Sequence, residues 1–128
     1  MESVTEPTIT AVVLCRDVQS PDGDRGGAYL VGALQEIFFL EGSAPYFRGL
    51  VYVAFESPGG EYPLAIRWTN ETSNQTYAAT GSLEVEPGDR AHRGHHPVAL
   101  YCPDDGWYGL EVEVGGARCR QSIRVRLQ

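Results

Sequence analysis

No lysine occurs in this chain: all ten basic residues are arginine, against 17 Asp and Glu, for a formal charge of −7 over 128 residues. An acidic chain without a basic cluster lacks the electrostatic grip on phosphate that nucleic acid or an anionic membrane demands. Cysteine is scarce as well. Cys15, Cys102 and Cys119 are odd in number and show no CxxC spacing, so they form neither a disulfide framework nor a zinc knuckle. Each lies in an apolar, strand-like run, where a free thiol behaves as a small hydrophobe, and all three are expected to be reduced and mostly buried. No apolar run approaches the ~20 residues of a membrane-spanning helix. The opening Met1-Glu2-Ser3 has no basic region leading into an apolar one, which reads as cytoplasmic. The GxSxG, P-loop, HExxH and Rossmann signatures are all missing, so the sequence implies no cofactor and points away from an enzyme.

What the chain does contain is alternation. In Pro103 to Leu127, Leu110, Val112 and Val114 alternate with Glu111 and Glu113, then Gly115-Gly116 interrupts. Beyond it Cys119, Ile123, Val125 and Leu127 alternate with Arg118, Arg120, Arg124 and Arg126. Period-two patterning on both sides of a pair of glycines predicts a β-hairpin, because glycine accepts the positive φ of a two-residue turn and the turn then fixes register. Val114 is expected to face Ala117, Glu113 to face Arg118, Val112 to face Cys119, Glu111 to face Arg120 and Tyr108 to face Ile123. One face is then apolar and the other carries opposite charges.

The remaining segments read the same way. Residues 1 to 8 are a polar, loose leader, and residues 9 to 128 form one domain, large enough to bury roughly two thirds of its unfolded surface. Ile9 to Val18 suits a strand covered on both faces, Ser20 to Gly27 a loop, and Ala28 to Leu40 a buried strand whose end carries Phe38, Phe39 and Leu40. Arg48 to Glu56, Tyr62 to Thr69, Tyr77 to Glu86 and His95 to Cys102 are further strands, with Pro63 at a strand start or edge. Thr69 to Thr76 is a polar loop, and the glycosylation sequons at Asn70 and Asn74 read as part of it. With the hairpin this gives about eight strands at short spacing and no amphipathic helix, which predicts an all-β, two-sheet antiparallel sandwich, a closed barrel being the alternative.

Two resemblances support the sandwich. Asp104-Asp105-Gly106-Trp107-Tyr108 resembles the D-x-G-x-Y corner of immunoglobulin-like and fibronectin-type sandwiches, where the Tyr hydroxyl bonds back to the backbone. Immunoglobulin domains place a Cys two residues after that Tyr, and here the position is Leu110. A wider pattern runs through Ile9 to Val18, Tyr29 to Ala33, Gly60 to Leu64 and Gly106 to Tyr108. It resembles a bacterial family of small β-sandwich proteins carried as a domain of unknown function, although family members have two acidic residues after the Cys where this chain has Arg16 before Asp17. The resemblance implies a bacterial cytosolic protein and a sandwich fold, and it brings no catalytic residue with it.

Several constellations bear on function. His92, His95 and His96 form the one histidine cluster, near Asp89 and Cys102. A zinc site needs three or four convergent ligands, and adjacent strand residues point to opposite faces, so the cluster reads as solvated and a small metal protein or enzyme is the alternative. Asp22-Gly23-Asp24 lacks the later ligands of a calcium loop and reads as a turn. Trp107 falls on the charged face of the hairpin opposite Arg124, where it makes either a cation–π contact or a binding surface, including one for carbohydrate. The leading expectation is a non-enzymatic protein-binding or assembly module, with Trp107, Arg124, Phe38 and Phe39 as contact residues. A homodimer through a sheet edge or a flat sheet face is also expected, with Phe38, Phe39 and Trp107 as its contact residues, since a chain without lysine has few means of protecting its edges.

Overall fold

In a computed structural model of the protein, residues 7–19, 29–31, 34–57, 60–85 and 91–127 are described. They form ten strands: β1 (Thr8–Cys15), β2 (Asp17–Gln19), β3 (Tyr29–Val31), β4 (Glu36–Phe39), β5 (Tyr46–Glu56), β6 (Gly60–Asn70), β7 (Thr76–Val85), β8 (Ala91–Tyr101), β9 (Gly106–Val114) and β10 (Ala117–Leu127). Eight of them make two packed sheets, in the orders β1-β5-β8 and β4-β10-β9-β6-β7, and β2 pairs with β3 in a separate ribbon. This is the expected sandwich, with strand order matching the A-B-E and G-F-C-C′ sheets of an immunoglobulin-like fold. One pairing departs from the antiparallel expectation: β4 runs parallel to β10.

The terminal hairpin has the expected register throughout, from Val114 opposite Ala117 to Tyr108 opposite Ile123 and Trp107 opposite Arg124. Only Gly115 needs a positive φ, 59°, so the turn uses its glycine at the first central position. Of the cross-strand charge pairs, Arg118 with Glu113 at 3.1 Å follows the register, and the next does not. Glu111 faces Arg120 across the strands, yet it bonds Arg67 of β6 at 2.7 Å, while Arg120 reaches Glu71 at 2.8 Å. Arg120 can do this because Gly109 leaves its guanidinium room: a Cβ there would stand 2.6 Å from a guanidinium nitrogen.

The inward residues of the two sheets supply the core. Leu14, Val51, Val53, Leu110, Val112, Val114 and Val125 are fully or almost fully buried, each contributing roughly 1.5–3 kcal/mol of transfer free energy. At the centre, Trp68 of β6 stacks on Tyr108 of β9 with ring centroids 4.9 Å apart. Its indole N–H donates to the Tyr101 carbonyl at 2.9 Å, satisfying its one polar atom. The Tyr108 hydroxyl donates to the Asp104 carbonyl at 3.0 Å and accepts from the Asp104 amide at 3.1 Å, so the D-x-G-x-Y segment does form a corner. Gly106, at φ 143°, admits the chain into it. Leu110, where an immunoglobulin domain has its Cys, is buried, and the three cysteines are free, with Cys15 and Cys102 buried and Cys119 half-buried.

Four expected boundaries are corrected. Ile9 to Val18 is broken at Arg16, because β1 belongs to the three-stranded sheet and β2 to the ribbon. Ala28 to Leu40 is likewise two strands, β3 and β4, with different partners; its apolar run serves both the ribbon and the larger sheet, which one straight strand cannot do. The expected strand His95 to Cys102 starts earlier, at Ala91, and pairs with β5 along its whole length. Of the expected leader, residues 1 to 6 lie outside the described residues, Pro7 is buried beside the Gly115 turn, and Thr8 already pairs with Glu56.

Candidate functional site

The hairpin places the candidate residues by register alone. Trp107 and Arg124 are partners across β9 and β10, and both project from the outer face of the five-stranded sheet. The parallel pairing of β4 then sets Glu36 opposite Arg124, Phe38 opposite Arg126 and Phe39 opposite Leu127. Phe38 therefore shares the outer face with Trp107 and Arg124, 57% and 51% exposed for the two aromatics. Phe39, one residue on, points the other way and packs against the core. Three of the four expected contact residues thus meet on one corner, and Phe39 supports that corner from beneath.

Charge on this corner is neutralised internally. The Arg124 guanidinium lies 6.0 Å over the Trp107 ring and bonds Asp105 at 3.0 Å, and Arg126 bonds Glu36 at 2.8 Å. Asp105 also accepts the Leu127 amide at 3.0 Å. That amide bond first, and Arg124 second, hold the Asp105 carboxyl below its ordinary range. With the charges paired, what the corner offers a ligand is apolar area: Trp107, Phe38, Leu40 and Leu127 are all exposed.

The apolar surface continues around the same end of the sandwich, the end opposite the Gly115-Gly116 turn. There β4 and β10 finish and β5, β7 and β9 begin. Tyr46 stacks on Tyr101 with centroids 5.0 Å apart, and Tyr77 meets Tyr101 edge-on at 5.7 Å. Among the described residues, the exposed large hydrophobics are Phe38, Leu40, Tyr46, Tyr77, Trp107 and Leu127, and every one belongs to this end. Sequence reasoning missed Leu40, Tyr46, Tyr77 and Leu127. Each is the first or last apolar residue of a strand-like run beside a turn, a signal that shows itself only when strand directions are known.

An open groove of about 1010 Å³ adjoins the corner, lined by Val12, Leu34, Gln121 and Ile123 as well as Trp107 and Arg124. Within it the Gln121 side-chain amide donates to the Val12 carbonyl. Its ionisable lining residues are Glu36 and Arg124, and each is ion-paired. A smaller cleft of about 130 Å³ lies between β7 and β8, lined by Trp68, Tyr77, Ala79, Val98 and Leu100.

The histidines do not converge. His92 and His96 point inward from β8 and stand four residues apart, about 13 Å along a strand. The His92 ring sits 3.2 Å from the Ser57 carbonyl and 5.4 Å from the Phe55 ring, and the His96 ring 2.8 Å from the Pro97 carbonyl. His95 is exposed on the opposite face. Among the described residues no three His, Cys, Asp or Glu side chains gather as a metal site. Asp89 and the Asp22-Gly23-Asp24 turn lie outside the described residues. Cys15 and Cys102 are poor nucleophiles: burial pushes Cys102 up to about 12 and raises Cys15, the latter with help from Asp17. Among the described residues no helix is long and apolar enough to cross a membrane. No model of a known protein family matches the chain, and neither does any curated protein.

Proposed function

We propose that the protein is a non-enzymatic binding or assembly module that receives a protein partner at the end of the sandwich marked by Trp107 and Phe38. One observation carries the reading: exposed large hydrophobics, which a folded domain ordinarily scatters, are here concentrated at a single end, around ion pairs that neutralise its charge. Aromatic and Arg-rich surface of this kind is what protein interfaces are enriched in. The family resemblance of the sequence adds a setting, the cytosol of a bacterium.

The test compares the wild type with Trp107→Ala and Phe38→Ser as bait in extract of the native cell, each checked by circular dichroism. A partner held by the wild type and lost from both folded variants supports the reading. A partner retained by both, or none held by the wild type, overturns it. Quenching of Trp107 fluorescence by an oligosaccharide would put carbohydrate in the partner's place. One equivalent of zinc, lost on replacing His95 and His96 by Ala, would favour the metal alternative.

A further inference from the structure

Two sheets have four edges, and three of them are blunted. Strand β4 is only four residues long and carries Glu36. Strand β1 has a bulge between Ile9 and Ala11; its Val12 carbonyl is taken by Gln121 and its Leu14 carbonyl by the Leu34 amide at 2.8 Å. Strand β8 contains Pro97, which has no N–H; the His96 ring lies against the Pro97 carbonyl and the Trp68 indole takes the Tyr101 carbonyl. These are the devices by which sheets avoid pairing with other chains.

Strand β7 has none of them before its penultimate residue, Glu84. It is ten residues long, ends the five-stranded sheet, and contains no proline, and no charged residue occurs from Thr72 to Leu83. Its inward residues Tyr77, Ala79 and Gly81 pair with β6 and face β8, where Tyr77 meets Tyr101 and Gly81 lies near His96, yet Tyr77 and Gly81 remain exposed. We infer that β7 pairs antiparallel with β7 of a second copy, joining the two five-stranded sheets across a twofold axis at Ala79.

The sequence of the strand is self-complementary about that point. Tyr77 falls opposite Gly81 of the second copy on the inner side, an aromatic ring covering a residue without a side chain. On the outer side Thr76 falls opposite Ser82 and Ala78 opposite Thr80, pairs that either hydrogen bond or pack without crowding. This self-complementarity decides for a second copy over a foreign strand, and charge permits it. Each copy has a net charge of −7, so two copies repel over most of their surface, and Thr72 to Leu83 is a stretch that brings no like charges face to face. Such an isologous edge contact closes after two copies and leaves no free β7 edge to extend the sheet further. Of the exposed hydrophobics at the Trp107 end only Tyr77 enters the contact; Trp107 and Phe38, on β9 and β4, stay outside it and available to another partner.

Light scattering on the full chain tests this. The wild type is expected to approach twice 14.0 kDa as its concentration rises through the micromolar range. The exposed pair Ala78→Lys with Thr80→Lys sets like charges directly opposite and should weaken association about ten-fold or more. Its circular dichroism should be unchanged. The matching pair Ala78→Glu with Thr80→Glu should be equally weakened alone, and mixing the Lys and Glu proteins should restore the double mass. Phe38→Ser should leave association as it is, which separates this contact from the partner-binding end. A wild type that stays at 14.0 kDa throughout, a Lys variant that associates normally, or a mixture that fails to associate would each overturn the inference.

Discussion

Tyr108→Phe isolates the corner on which the Trp107 end rests. The substitution removes one oxygen and leaves the ring, so the stack on Trp68 at 4.9 Å survives while two bonds to Asp104 are lost, at 3.0 and 3.1 Å. A neutral hydrogen bond contributes about 1 kcal/mol net, and more where its abandoned partner stays dry. Tyr108 is fully buried, but Asp104 is exposed, so water reaches the freed amide and carbonyl and the larger penalty does not apply. The expected loss is about 1.5 kcal/mol. An unfolding entropy of about 2.1 cal/mol/K per residue gives about 0.27 kcal/mol/K for 128 residues, hence a fall in Tm of about 6 °C. Urea unfolding should show the same loss with an unchanged slope. The control is Tyr108→Ala, which also removes the ring and should cost about 3–5 kcal/mol. A Tyr108→Phe protein as stable as the wild type would show that the hydroxyl bonds do not hold the corner. One as damaged as Tyr108→Ala would show that the ring contributes nothing beyond them.

Two glycines should respond to very different degrees. A Cβ on Gly49 would lie 2.5 Å from the Cys15 carbonyl oxygen, which is backbone and cannot step aside, so Gly49→Ala should cost about 2 kcal/mol or more in urea unfolding. At Gly109 the obstacle is the end of Arg120, a flexible side chain, and Gly109→Ala should only break the exposed Arg120–Glu71 pair, at about 0.5 kcal/mol or less. Thiol labelling should modify Cys119 first and Cys102 last, with Cys15 close to it, and all three rapidly in denaturant. Because folding raises the Cys102 pKa from 9.0 to about 12, the folded state keeps a proton that the unfolded chain releases. Its stabilising effect is complete below pH 9 and is lost as pH rises toward 12, and Cys102→Ala should flatten stability over that window. Asp105 works in the opposite sense: its folded pKa is lowered, so its contribution is present above its unfolded value of 3.8 and is lost as pH falls below it.

The hairpin was legible because three independent signals agreed in it: the period, the turn glycines and the alternating charges. Its register follows from them with no knowledge of the rest of the chain. The corner at Tyr108 was legible for a related reason, since its chemistry is confined to five consecutive residues. Ala28 to Leu40 was not legible, because an unbroken apolar run says that a segment is covered and is silent on what covers it. Whether it pairs with β2 or with β10 depends on residues far away. The same reasoning explains the site. Trp107 and Arg124 could be placed because they are hairpin partners, whereas bringing Phe38 to them required the parallel pairing of β4 with β10, and gathering Tyr46, Tyr77 and Leu127 required the direction of every strand. The edges were invisible in sequence too: Pro97 could be seen, but not that the Trp68 indole and the His96 ring close the same edge.

Where a partner touches the protein is the decisive question. A photo-crosslinking amino acid placed at Phe38, at Trp107 and, on the opposite sheet, at His95 would answer this in the native cell. One and the same crosslinked partner is expected from positions 38 and 107, and none from 95. Crosslinks from position 95 alone, or from all three equally, would contradict binding at the Trp107 end.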